Sequence, residues 1–222
     1  MDEKNAKNIE ELADIRQDYD RDVLHRRDLD TSPTVQLQRW LDDAITANVE
    51  EPTAMTLATT SRDGVPSARI VLLKGLDADG LRFFTNYESR KAREMAENPR
   101  ASLCLFWVAL HRQVRVDGTI EKLPRDASAA YYHSRPRGSQ LGAWASPQSV
   151  PIASREALED RLRAVEKRFQ NDDPVPLPDF WGGYLLRPTE VEFWQGRPSR
   201  LHDRFRYSRD GQDRWRVERL AP

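Results

Sequence analysis

Behind Thr31-Ser32-Pro33, apolar residues recur at helical spacing: Leu37, Trp40, Leu41, Ala44 and Ile45, closing on Asn48. A hydroxyl ahead of a proline in the first turn marks a helix start, so a helix follows with one face on a core. From residue 53 the period shortens to two. Residues 54–60, 68–73, 81–85, 101–109 and 113–123 are predicted strands, and Asp63-Gly64 and Asp79-Gly80 are hairpin turns. The fifth strand alternates cleanly, with Val114, Val116 and Ile120 on one face and Arg115, Asp117 and Thr119 on the other. Residues 89–98 form a short helix that Ser89 caps and Pro99 follows.

After Pro124 the pattern turns helical over residues 126–133 and again over 154–170, where Leu158, Leu162, Val165 and Phe169 form the apolar stripe. Stretches rich in proline, glycine or serine fill 134–151 and 172–179. Strands at 190–194, 204–208 and 215–220 close the chain, the last two joined by a turn at Asp210-Gly211. About eight short strands with late helices predict a mainly β, α+β fold: a closed or partly closed antiparallel barrel with helical additions. Residues 1–30 carry ten acids and six bases and few large apolar side chains, which predicts a flexible leader ahead of a single domain at 31–222.

With 222 residues, the chain is long enough to bury roughly 70% of its unfolded surface without a staple. Its 35 basic residues nearly cancel its 36 acidic ones, which argues against wrapping nucleic acid. Within that balance 29 of the bases are arginine and 6 lysine, from codon bias or a need for planar guanidinium groups. The lone Cys104 sits in an apolar run, reads as an inert thiol and suits a reducing cytoplasm. The polar first twelve residues are not a secretory signal, and no apolar run approaches a membrane span.

His25, His111, His133 and His202 are scattered, so no metal site is expected, and Gly-x-Ser-x-Gly, Walker and Gly-x-Gly-x-x-Gly signatures are absent. What remains is shaped for phosphate. Arg69 and Lys74 bracket an apolar strand. Thr85-Asn86-Tyr87-Glu88-Ser89-Arg90-Lys91 joins a strand end to a helix start, where cations oppose the helix dipole unless an anion is bound. Tyr131, Arg135 and Ser139 recur every four residues, but Pro136 argues against a regular helix, so a turn must bring them together. Near the end, Trp194 offers a flat face beside Arg200, His202 and Arg204. Two phosphate cradles and an aromatic platform, with no nucleophile, suit an enzyme that sets a phosphorylated substrate beside a phosphorylated cofactor. Arg26, Arg27 and Arg219 form a further basic group, a second anion site or a surface ion-pair network.

In order and spacing, Arg69–Lys74, Thr85–Lys91, the run His-Ser-Arg-Pro-Arg-Gly-Ser-Gln-Leu-Gly-Ala-Trp at 133–144, and residues 178–183, 192–196, 200–205 and 219–222 resemble the pyridoxine/pyridoxamine 5′-phosphate oxidase family. The resemblance implies an FMN-binding split β-barrel of Greek-key type and a homodimer with FMN between the subunits. It implies oxidation of pyridoxine or pyridoxamine 5′-phosphate to pyridoxal 5′-phosphate by O2. It assigns FMN contacts to Arg69, Ile70, Val71, Leu72, Leu73, Lys74, Phe84, Thr85, Arg90, Lys91, Gln113, Gln148, Ser149, Trp194 and Arg204. The substrate phosphate falls to Lys74, Tyr131, Arg135 and Ser139, and its ring to the catalytic pair Arg200 and His202. Arg16 and Tyr19 of the leader close over the ligand. Glu51 and Gly138 depart from the aspartates such relatives carry there. A flavin reductase-like barrel acting on another substrate, and a non-catalytic FMN or pyridoxal phosphate carrier, are the rival readings.

Overall fold

The computed structural model describes residues 18–210, 212 and 214–222. Helix α1 spans Pro33–Thr46, followed by strands β1 (Ala54–Thr60), β2 (Pro66–Leu72), β3 (Gly75–Asp77) and β4 (Gly80–Asn86). Then come α2 (Arg90–Glu97), β5 (Arg100–Trp107), β6 (Arg112–Lys122), α3 (Arg125–Ser134), α4 (Arg137–Ala145) and α5 (Arg155–Arg168). The chain closes with β7 (Trp181–Gln195), β8 (Asp203–Arg209) and β9 (Trp215–Leu220).

Strand order is β2-β1-β5-β6-β7-β4-β3, with β8 and β9 added beside β7, and every pairing is antiparallel. Connectivity forces this sheet to curl. Laid flat, its two edge strands would lie about 29 Å apart, six steps of about 4.8 Å. Yet only Leu73 and Lys74 separate the end of β2 from the start of β3, a reach of at most about 11 Å. The Leu73 amide donates to Thr53 and the Lys74 amide to Arg82, on opposite sides of the closure.

The long strand β7 organises the split. It pairs with β6 over Tyr184–Gln195, with β4 over Trp181–Leu186, and with β8 over Glu190–Gln195. Pro188 stands where β7 changes neighbours, opposite a register shift at Asp117/Gly118, so its missing N–H costs no ladder bond. At Gly118 an added Cβ would lie 2.2 Å from the Arg187 carbonyl oxygen, so only glycine fits.

The barrel interior is filled by Leu57, Leu81, Phe83, Leu103, Leu105, Val114, Val116 and Phe193, all fully buried. Helix α1 lays Leu37, Trp40, Leu41 and Ala44 on it, with Trp40 edge-on to Phe193 at 5.1 Å. The stripe stops two positions short of the expected one: Ile45 is 52% exposed, and Asn48 is exposed and left-handed at φ 53°. A second, small core of Leu141, Phe169 and Val175, with Trp144, Leu162 and Val165 against it, ties α4 to α5.

Three elements differ from expectation. The 134–151 stretch contains α4, because Pro136 takes the N-cap position and starts a helix instead of breaking one. Strand β7 begins at Trp181, nine residues before the predicted strand, because Gly182, Gly183 and Pro188 hide its alternation. The three-residue β3 carries too little pattern to be read. Ser32 and Ser89 occupy N-cap positions but make no side-chain cap bond, whereas Ser154 accepts from the Ala157 amide at 3.2 Å.

The described end of the leader packs on the barrel. Leu24 is buried and its amide donates to Asp203, Tyr207 donates to the Asp30 carbonyl, and Arg112 bridges Asp22 and Asp43. Arg219 pairs with Asp203 at 2.6 Å, and Arg27 faces the exposed Asp28 at 3.7 Å.

Candidate active site

The predicted residues fall into two groups. The first lines a cavity of about 340 Å³: Arg69, Ile70, Val71, Leu72 and Lys74 from β2 and its exit, Phe84 and Thr85 from β4, Lys91 from α2, Tyr131 and Arg135 from α3 and its end, and Gln148. An adjoining cavity of about 250 Å³ brings in Ser139, with Arg135 and Gln148 shared. Asn86 and Trp181 line both cavities, and sequence reasoning gave neither a role. The Leu73 side chain is in the core instead, because alternation along the strand turns it away from Leu72 and Lys74. Ser149 is exposed at φ 68° and lines neither cavity.

One end of the larger cavity is a cradle of donors. Lys91 Nζ donates to Gln148 Oε1 at 2.8 Å and to Thr85 Oγ1 at 3.1 Å, and Thr85 also donates to Gln148. Burial, then the charge of Arg69, pushes the Lys91 pKa down to about 8, with Glu94 pulling the other way. Arg69 Nη1 donates to the Leu57 carbonyl and Thr59, and its Nη2 to Ser67 and Glu94. Arg90, which lines neither cavity, donates from Nε to Glu94 at 2.8 Å on the same helix. This donor set fits a dianionic phosphate, as does the helix start at Ser89 behind it.

The other end is aromatic. Tyr131 stacks on Phe84 at 3.9 Å and runs nearly parallel to Trp181 at 6.2 Å. Arg135 lies over Trp181 with its Cζ 4.7 Å from the ring centroid. Its Nη1 is buried without a hydrogen-bond partner. Burial lowers the Arg135 pKa, and Tyr131 and Tyr132 raise it again. Burial raises the Tyr131 pKa, so that group is a hydroxyl donor at neutral pH. An orphaned guanidinium N–H beside a hydroxyl is a site built for an anion that the chain itself does not supply. The expected convergence of Tyr131, Arg135 and Ser139 does not come from a turn alone: α3 ends and α4 begins around Arg135-Pro136, and the bend aims all three inward.

The second group lies on the outward face of the sheet. Gln113, Trp194 and Arg204 are cross-strand neighbours on β6, β7 and β8. Arg204 pairs with Glu192 at 2.7 Å and donates to the Ala221 carbonyl. Beside them Tyr19, His111, Trp194 and His202 gather, with Trp194–His202 centroids at 4.6 Å and Tyr19 edge-on to His202 at 5.7 Å. The Arg197 amide donates to His202 Nδ1 at 3.1 Å, which leaves the proton of the neutral ring on Nε2. Burial, then Arg200 and Arg204, lowers the His202 pKa. Ser199 and Arg200 are both left-handed, at φ 55° and 60°. Arg16 lies outside the described residues.

Neither cavity is lined by a residue of the second group. Trp181 and Trp194 are thirteen positions apart on β7, up to about 43 Å of extended strand. Ile70 (63% exposed), Leu72 and Phe106 (49%) leave apolar surface on the outward face between them. Of the two departures, Glu51 is exposed at φ 48° ahead of β1 and lines neither cavity, and Gly138 has open space where a Cβ would stand.

Residues 41–169 match a family described as pyridoxamine 5′-phosphate oxidase, and residues 181–222 match the pyridoxine 5′-phosphate oxidase C-terminal dimerisation region. A pyridoxine/pyridoxamine 5′-phosphate oxidase of Salinibacter ruber is 55% identical over 215 residues, 96% of this chain and the whole of that protein. One of the same name from Bordetella avium is 55% identical over 211 residues, covering 95% of this chain and 99% of its own length. Among solved structures, PhzG from Burkholderia lata, in complex with tetrahydrophenazine-1-carboxylic acid, is 35% identical with a TM-score of 0.84 over 90% of this chain and 98% of its own. An FMN-binding protein of Nostoc punctiforme, 22% identical with a TM-score of 0.69 over 87% of this chain and all of its own, shares the fold.

Proposed function

Because the chain belongs to the pyridoxine/pyridoxamine 5′-phosphate oxidase family, whose members are FMN-dependent enzymes, we propose that it oxidises pyridoxine or pyridoxamine 5′-phosphate to pyridoxal 5′-phosphate. The observation that carries the choice of a phosphorylated substrate is the buried, unpartnered Nη1 of Arg135 beside Tyr131. Lys74, Tyr131, Arg135 and Ser139 hold the substrate phosphate and thereby fix its ring, and near-attack placement of this kind accounts for a large part of barrier reduction. Arg69, Arg90, Lys91 and Thr85 hold the FMN phosphate.

FMN, when bound, would supply the two-electron oxidation of the substrate C4′ carbon, with O2 as terminal acceptor and hydrogen peroxide as product. Arg200 orients the substrate ring as a fixed charge, and His202 presents its Nε2 proton. Gln113, Trp194 and Arg204 cover the flavin from the second subunit of a homodimer, and the match to the dimerisation region supports that assembly. Tyr19, already against Trp194 and His202, borders the ring side. No helix among the described residues is long and apolar enough to cross a membrane, and a cytoplasmic setting suits the single free thiol.

The test is spectroscopic. Purified protein should carry an oxidised flavin spectrum that bleaches when pyridoxine 5′-phosphate is added without oxygen, while dephosphorylated pyridoxine leaves it unchanged. Flavin that stays oxidised with the phosphorylated substrate overturns the assignment. Bleaching by unphosphorylated ring substrates alone points to another chemistry on the same barrel.

A further inference from the structure

Glu94 on α2 is a buried carboxylate with four donors. Its Oε2 receives Thr59 at 2.5 Å, Ser67 at 2.6 Å and Arg69 Nη2 at 3.2 Å, and its Oε1 receives Arg90 Nε at 2.8 Å. Thr59 and Ser67 in turn accept from Arg69, so the two hydroxyls relay the carboxylate to the guanidinium. An arginine has five N–H donors. Four of those on Arg69 are accounted for by Leu57, Thr59, Ser67 and Glu94, which leaves the Nε edge. Arg90 is the reverse: Glu94 takes its Nε, and its two terminal nitrogens have no described partner on a side chain that is 59% exposed.

We propose that Glu94 is a positioning residue for the cofactor phosphate, locking Arg69 in place and turning the free fork of Arg90 toward the cradle. Glu94 touches neither cofactor nor substrate; it acts through the two arginines. It also offsets repulsion among Arg69, Arg90 and Lys91, three cations gathered at one helix start. Burial alone would raise its pKa, but the Ser67, Thr59, Arg90 and Arg69 bonds prevail and bring it to about 2, so the carboxylate stays charged at working pH. The inference rests on FMN occupying this cradle.

Binding of FMN and of riboflavin, which lacks the phosphate, to the cofactor-stripped full-length protein separates the possibilities by flavin fluorescence quenching. Wild type should prefer FMN strongly; absence of that preference removes the cradle reading itself. Glu94→Ala should weaken FMN by roughly tenfold or more and leave riboflavin unchanged. Glu94→Gln keeps an acceptor for Thr59, Ser67 and Arg69 but turns an amide N–H toward the Arg90 donor, so its loss should be intermediate. Equal losses for both flavins, or tighter FMN binding in either variant, overturn the positioning role. If Glu94→Ala does not fold, the Glu94→Gln ratio of FMN to riboflavin affinity decides alone.

Discussion

Arg135 lies flat over Trp181, its Cζ 4.7 Å from the ring centroid, and this contact holds a guanidinium whose Nη1 is buried and unpaired. A stacked arginine keeps its fork aimed without using any of its N–H groups, which lysine cannot reproduce. Arg135→Lys and Arg135→Ala should therefore raise the substrate KM by about 100-fold, the scale of a lost charge-assisted pair, while FMN stays bound. Arg135→Met should leave the ligand-free protein as stable as wild type or more so, because it removes an unsatisfied buried charge. Steady-state kinetics and a thermal melt check both halves, and FMN loss in step with KM would place Arg135 in the wrong cradle.

With Lys91 in the proposed phosphate cradle, cofactor binding should weaken at alkaline pH. Its folded-state pKa, about 8, lies below the ordinary lysine value because of burial and then Arg69. Between those two values the unfolded chain holds a proton the folded chain has released, so stability of the cofactor-free protein should rise with pH across that window. FMN binding should do the opposite. Its phosphate is already a dianion above about pH 7, so affinity falls as Lys91 discharges above about 8, and binding there takes up a proton. Lys91→Arg should flatten this dependence; an FMN dissociation constant that is flat to pH 10 in wild type removes Lys91 from the phosphate site.

His202 should titrate below the ordinary histidine range, because burial and the charges of Arg200 and Arg204 all disfavour its protonation. The ring is then neutral at pH 7, with Nδ1 occupied by the Arg197 amide and Nε2–H available. An NMR titration should show Arg200→Ala moving the His202 pKa upward. No movement would mean that Arg200 does not face this ring.

Glu51 and Gly138 make stability predictions rather than catalytic ones. Glu51 holds a left-handed φ of 48°, where a glutamate costs about 1 kcal/mol more than a residue that tolerates the region. Glu51→Asn should recover much of that, a shift of about 2–4 °C in Tm for a chain of this size. Gly138 sits in α4 with open space beside it, so Gly138→Ala should stabilise by a similar amount. A thermal melt in which both variants lie below wild type overturns this reading.

The barrel was legible because alternation is strong wherever one face is core: Val114, Val116 and Ile120 are buried as the period-two pattern requires. What escaped is where backbone needs override pattern. Gly182 and Gly183 let Tyr87 and Phe84 approach β7 closely, and that replaced the apolar residues that would have marked the strand. Pro136 reads as a breaker but sits at a helix start. In the site, the cations stood out because each is an anomaly in its local pattern. Trp181 and Glu94 did not, since a tryptophan after a loop and a glutamate four residues beyond Arg90 both have ordinary explanations. Their roles appear only when distant strands and a helix meet.

The division of the site into two groups yields the last prediction. Phe106 is 49% exposed on the outward face, opposite Gln113, in the cross-strand row that continues to Trp194 and Arg204. A large apolar side chain there is buried only if a second subunit covers the face, so Phe106→Glu puts an unpaired charge into that contact. It should shift the protein from dimer to monomer by light scattering, at unchanged secondary structure. If the proposed site is shared between subunits, FMN affinity and turnover should fall together with the dimer. Rising protein concentration should restore all three in parallel. A monomeric Phe106→Glu variant that keeps FMN and turns over at the wild-type rate would show that each chain completes its own site, and the two-subunit arrangement would have to be abandoned.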